Sequence, residues 1–177
     1  MSGILSTDPG FARGQTLGVT NAQQGTSVTG TTKVFTDTDP RHPNAGRHLS
    51  NRVVTCIAAR NTSGAPILPG TIVAFKATAI LDEVTAAVDS TAPGKLFGVV
   101  DEYLPASGCA NNDVCWIVVH GPGEIVSTDA TISAGDLVIG GASGVAVDGT
   151  ATPDNVVAHA ISVPSGGRVR ALICTDH

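Results

Sequence analysis

The side chains of this sequence able to do chemistry are few and scattered. The histidines are His42, His48, His120, His159 and His177. A mononuclear metal site needs three or four converging ligands. No His-Glu-x-x-His or Cys-x-x-Cys spacing is present. His42 and His48 lie in a polar stretch with Asp37, Asp39 and Arg41, and read as solvated or partner-facing groups. His120 ends an apolar run just before Gly121-Pro122-Gly123. It reads as a buried, hydrogen-bonded histidine or as an interface residue. His159 alternates with apolar neighbours and is expected on the polar side of a strand. Cys109 and Cys115 flank the polar turn Ala110-Asn111-Asn112-Asp113. They read as two unpaired small side chains or as a disulfide closing that turn, whereas Cys56 and Cys174 sit in apolar runs and read as core.

Other catalytic constellations fail on spacing. Gly141-Ala142-Ser143-Gly144 lacks the nucleophile-elbow pattern. Gly121-Pro122-Gly123-Glu124 has no lysine, and its glutamate would repel phosphate. Asp101-Glu102 and Asp82-Glu83 are adjacent pairs, and neighbours on a strand point to opposite faces. Neither pair is expected to act as a catalytic acid and base. With one Trp and one Tyr, aromatic platforms for sugars or bases are scarce. No enzyme activity, cofactor or metal is expected.

The elements that would carry these residues are strands. The chain has 177 residues, with 21 Gly and 10 Pro, and its apolar runs are rich in valine and isoleucine. β-Branched residues pack well on a pleated sheet, and Gly and Pro supply the turns. Strands are expected at 52–60, 71–76, 95–101, 114–120, 124–127, 136–139, 144–147, 155–161 and 168–174. Gly121-Pro122-Gly123 is expected to break the apolar run before it. A hairpin is expected around Pro164-Ser165-Gly166-Gly167. Residues 76–89 fit short strands, but Ala77, Leu81, Val84 and Val88 also fit one face of a helix. The fold class is all-β: a compact β-barrel or sandwich of short antiparallel strands with an extended N-terminal arm.

A shift in composition divides the chain. Residues 1–51 hold 13 hydrophobic residues and residues 52–177 hold 61. The first part is expected to be an extended polar arm, 1–51, and the second a β-barrel or sandwich domain, 52–177. Phe11, Leu17, Val34 and Phe35 are the arm's candidate anchors. Charged residues are only 14%, against about 25% in ordinary soluble domains. Much of the surface is therefore expected to face other protein. The net charge of -5, with no basic stripe, argues against direct nucleic-acid binding. No apolar run is long enough for a membrane helix, and Met1–Ser6 does not resemble a signal peptide.

Several passages resemble the head decoration, or capsid cement, proteins of tailed bacteriophages. They are Arg52–Gly64 with Leu68-Pro69-Gly70, and Phe97–Ala106 with Asn112-Asp113 and Trp116–Pro122. Ser133–Val138, with the glycine-rich turn after it, is also similar. The resemblance implies a non-enzymatic virion protein, made in the host cytoplasm and bound to the outer capsid surface. It would act as a homotrimer that joins major capsid subunits and stabilises the shell, touching neither nucleic acid nor membrane. Phe11, Leu17, Val34, Phe35, His42 and His48 would then contact capsid or a sister subunit. A tail- or fibre-associated virion protein has the same composition and is the alternative reading. A small hydrolase or ligand-binding module would need His120, Asp101 and Glu102 to converge.

Overall fold

The computed structural model describes residues 11–18, 28–38, 48–76, 82–85, 97–149 and 155–175. The described residues form a ten-stranded sheet. Its strands are β1 (Thr32–Thr38), β2 (His48–Asn61), β3 (Ile72–Phe75), β4 (Glu83–Thr85), β5 (Phe97–Val100), β6 (Val114–Val126), β7 (Leu137–Gly140), β8 (Ala146–Asp148), β9 (Ala158–Ala160) and β10 (Arg168–Cys174). A single 3-10 turn, Ala142–Gly144, joins β7 to β8. Among the described residues no helix is long and apolar enough to cross a membrane.

Pairing of β2 with β4, β4 with β3, β3 with β5, β5 with β6, and β6 with β2 makes a closed ring of five strands. All pairs in the sheet are antiparallel except β2 with β4. Strand alternation sorts the ring residues into two sets. Ile57, Ala59, Val73, Phe75, Val84, Val100, Cys115, Ile117 and Val119 come from all five strands and fill the inside. Val54, Cys56, Ala58, Ile72, Ala74, Val99, Val114, Trp116 and Val118 face the other way, yet are equally buried. Strands covered on both sides read as continuous apolar runs, which is how 56–59 and 114–119 read in the sequence.

The outer set is covered by two things. One is the second half of the sheet, β6 through β10, β9, β7 and β8. There Ile125, Val138, Ala146, Ala158, Ala160, Val169, Ala171 and Ile173 turn inward. The other is the N-terminal part of the chain, whose Phe11, Leu17 and Phe35 pack on the same cluster.

Strand β6 belongs to both halves, and here the structure departs from expectation. Gly121-Pro122-Gly123 does not end the strand; β6 runs through it. Opposite Thr55-Cys56, the register of β6 shifts, so that Val119 is an extra residue. Beyond this bulge β6 leaves β2 and pairs with β10, with Pro122 opposite Leu172. Gly121 sits at φ 113, and a Cβ there would come within 2.5 Å of the Val53 carbonyl oxygen. A Cβ on Gly123 would meet Ile173 at 2.8 Å. The glycines allow close strand contact at a bend, where the sequence reads as a break.

Within 76–89, Glu83–Thr85 is a strand, and residues 77–81 and 86–89 lie outside the described residues. The boundary expected at residue 51 falls inside β2. Within the expected arm, Thr32–Thr38 forms β1 and pairs antiparallel with β2.

One end of the ring is closed by two loops held on Asn61, which is fully buried. Its side-chain amide donates to the carbonyls of Ala65 and Cys109, both at 2.8 Å, and its carbonyl oxygen accepts from the Ser63 amide at 2.9 Å. Asn61→Ala strips three partners from this loop pair at once. A loss of about 2 kcal/mol, or roughly 4–8 °C in Tm, is expected in thermal unfolding.

Candidate functional site

A set of buried polar contacts lies where the N-terminal segment 11–18 crosses the outer face of the ring. The segment has no regular secondary structure. Its Phe11 stacks on Trp116, with ring centroids 4.7 Å apart and planes 21° from parallel. The Trp116 indole N–H donates to the Phe11 carbonyl at 3.2 Å. Phe35 meets another side of the same indole edge-on, at 5.1 Å and 75°. Trp116, the single tryptophan, is thereby wholly buried. The Leu17 amide donates to the Val114 carbonyl at 2.9 Å and fixes the far end of the segment.

Arg13 lies between these anchors and is only 4% exposed. Its guanidinium reaches Asp101 Oδ1 at 3.1 Å through both Nε and Nη2, and Nη2 lies 3.5 Å from Glu102 Oε1. It also lies over the Tyr103 ring, 4.6 Å from the centroid. The Gly14 amide donates to Asp101 Oδ2 at 2.6 Å. The backbone amide of Glu124 donates to Glu102 Oε2. Two carboxylates, one cation and backbone donors thus share a buried site.

Burial dominates the electrostatics of Glu102. It pushes the carboxyl up to about 7, against the pull of Arg13 and the Glu124 amide, with Glu124 and Asp101 adding to the rise. Burial lowers the pKa of Arg13, but Asp101 leads a set of neighbours whose charges raise it overall. The guanidinium therefore stays charged. Burial raises the thiol pKa of Cys56 far above its ordinary value, against the pull of Arg13.

Asp101 and Glu102 depart from their expected geometry. They follow β5 in a turn rather than lying within a strand. Strand alternation does not apply there, and both reach Arg13. His120 is exposed on β6, with Thr55 opposite it on β2 and Cys174 opposite on β10. His159 is exposed on β9, between the buried Ala158 and Ala160. Glu83 pairs with Lys76 at 2.9 Å on the surface. Cys56, Cys109 and Cys115 are buried and free of disulfides. A side-chain hydrogen bond with Cys109, then burial, hold the Cys115 thiol well above its usual range. Among the described residues no group of three or more His, Cys, Asp or Glu side chains could hold a metal ion.

No family model matches the chain. No curated protein matches it either. Among solved structures, the chain is similar to the N base of head fiber gp8.5 of bacteriophage phi29. The sequence identity is 18% and the TM-score 0.47, over 68% of this chain and 93% of that chain.

The six residues expected to face a partner separate into groups. Phe11 is buried, and Leu17 and Phe35 are partly buried against the chain's own core. Val34 is 59% exposed. The difference between Val34 and Phe35 is strand alternation: Phe35 turns toward Trp116 and Val34 away from it. His48 opens β2 opposite Thr38, while His42 lies outside the described residues. Val53, 53% exposed, shares with Val34 the face turned away from Phe35 and Val54: Val34 lies opposite Thr55, and Val53 lies opposite Thr36.

Sequence reading overlooked Arg13, Tyr103 and the role of Trp116. The available signal was an arginine and a phenylalanine two residues apart in a polar stretch, with a lone tryptophan in the most apolar strand.

Proposed function

We propose that this chain is a non-enzymatic structural protein of a tailed-phage virion. It sits on the outer capsid surface as a homotrimer and joins major capsid subunits. The observation that supports the reading is the face of the β1–β2 pair turned away from Phe35 and Val54. Val34 and Val53 stand more than half exposed there, on a chain with only 14% charged residues. Among the described residues, β1 comes first in the strand order, next to β2. Apolar side chains exposed on a sheet face favour covering by another protein. Repetition over a symmetric shell then turns modest contacts into strong retention.

The buried ion pair has a structural part in this reading. Asp101 and Glu102 are engaged by Arg13, and they hold the N-terminal segment to the ring.

The full chain carrying Val34→Asp and Val53→Asp tests the face directly. Each change is at a surface position, so folding, read by Trp116 fluorescence, is expected to stay native. Two carboxylates pressed into an apolar contact are expected to cut retention on expanded capsids at least about tenfold in a sedimentation assay. Retention at the wild-type level contradicts a capsid contact through this face.

A further inference from the structure

Segment 11–18 is held the way a bound peptide is held. It contributes no strand, yet it buries a phenylalanine and an arginine. Its partners are far away in sequence: Arg13 and Asp101 are 88 residues apart, and Phe11 and Trp116 are 105 apart. The receiving groups are fixed by the ring. Trp116 belongs to β6, and the Asp101 amide donates to the Trp116 carbonyl at 3.0 Å, which locks the acidic turn to that strand. Backbone pairing closes the ring without this segment.

We propose that Trp116, Tyr103, Asp101 and Glu102 form a receptor for a Phe-x-Arg peptide segment. The chain fills it here with its own Phe11-Ala12-Arg13, and within an assembly the same segment of a second copy fills it instead. Each part of the receptor matches one part of the ligand. The indole stacks on the phenylalanine ring and donates to its carbonyl. Two buried carboxylates and the Tyr103 face take the guanidinium, and Asp101 also accepts the Gly14 amide. Asp101, fully buried, loses its cation in an empty receptor, so vacancy is costly and exchange of one copy's segment for another's conserves every contact.

Reach permits the exchange. Residues 19–27, Val-Thr-Asn-Ala-Gln-Gln-Gly-Thr-Ser, join the segment to the stretch leading into β1. Nine residues can span up to about 30 Å when extended. The exchange rests on the self-association proposed above and holds or fails apart from binding to capsid.

Two full-chain variants test it. Phe11→Ala with Arg13→Ala leaves the receptor intact and the segment defective. Asp101→Asn with Glu102→Gln leaves the segment intact and the receptor defective. The first variant is titrated with a synthetic peptide of residues 8–18, read by Trp116 fluorescence. Saturable binding is expected, with at least about tenfold weaker binding for a peptide carrying Arg13→Ala. If that variant does not fold alone, it is refolded with the peptide, and recovery of native Trp116 emission is the expected result. No binding, no recovery, or equal binding of both peptides overturns the receptor. The two variants are then mixed, one tagged. Their co-purification at a level at least about tenfold above either variant's self-association supports exchange between copies, and its absence overturns that part.

Discussion

Replacing Arg13 with alanine is expected to remove about 3–5 kcal/mol of stability, because it leaves Asp101 buried with no cation. Domains of this kind have only about 5–15 kcal/mol in total. The pair itself is weak evidence of net stabilisation, since desolvation offsets much of its attraction. Breaking one side is different: Asp101 is fully buried and keeps only the amides of Gly14 and Tyr103 as donors. Urea unfolding followed by Trp116 fluorescence measures the loss. The change is expected in the midpoint more than in the slope. A second substitution, Asp101→Asn, removes the stranded charge and is expected to recover part of the loss, so the two substitutions are non-additive. A loss below about 1 kcal/mol for Arg13→Ala, typical of exposed ion pairs, contradicts the buried geometry.

The pH dependence follows from Glu102, with burial as its first cause. Its carboxyl stands at about 7 in the folded chain and at 4.5 when unperturbed. Between those values the folded chain holds a proton that the unfolded chain has released. Stability from this group is therefore full below pH 4.5 and is lost as pH rises through 7. The span corresponds to roughly 3 kcal/mol. Glu102→Gln keeps an oxygen for the Glu124 amide and cannot ionise. The difference in unfolding free energy between wild type and this variant is expected to shift by roughly that amount, against the wild type, from pH 4.5 to 7.5. A difference that stays flat, or shifts the other way, contradicts a buried Glu102.

Much of the β architecture was legible, because its signals are local. Strand β10 coincides with the apolar alternation of Val169, Ala171 and Ile173, and the β7 to β8 connection follows the Gly140–Gly144 turn residues. The parts that were not legible depend on distant partners. Thr32–Thr38 is rich in threonine and read as arm, but pairing with β2 makes it a strand whose Phe35 reaches Trp116. Gly121-Pro122-Gly123 has the composition of a break, yet here the glycines make room for Val53 and Ile173 while β6 changes partners. Strand β6 is long because the ring and the outer sheet share it, and β2 because it pairs with β1 as well as within the ring.

The site was less legible than the fold. A rule of strand alternation set Asp101 and Glu102 apart, whereas a turn after β5 brings them together. Their cation lies 88 residues away, in a segment without apolar periodicity. No local spacing marks such a pair. Val34 was visible as an apolar anchor in a polar arm, but only its register beside Phe35 tells which of the two faces outward.

The central claim is that this chain belongs on the outside of a phage shell. An image reconstruction of the native particle at a resolution that shows strands tests it most directly. The expected result is density for the five-stranded ring and its outer sheet on the capsid exterior, in threefold clusters at junctions between major capsid subunits, with the Val34 and Val53 face covered. Density for this fold only on the tail, or a shell surface bare of it, would contradict the claim.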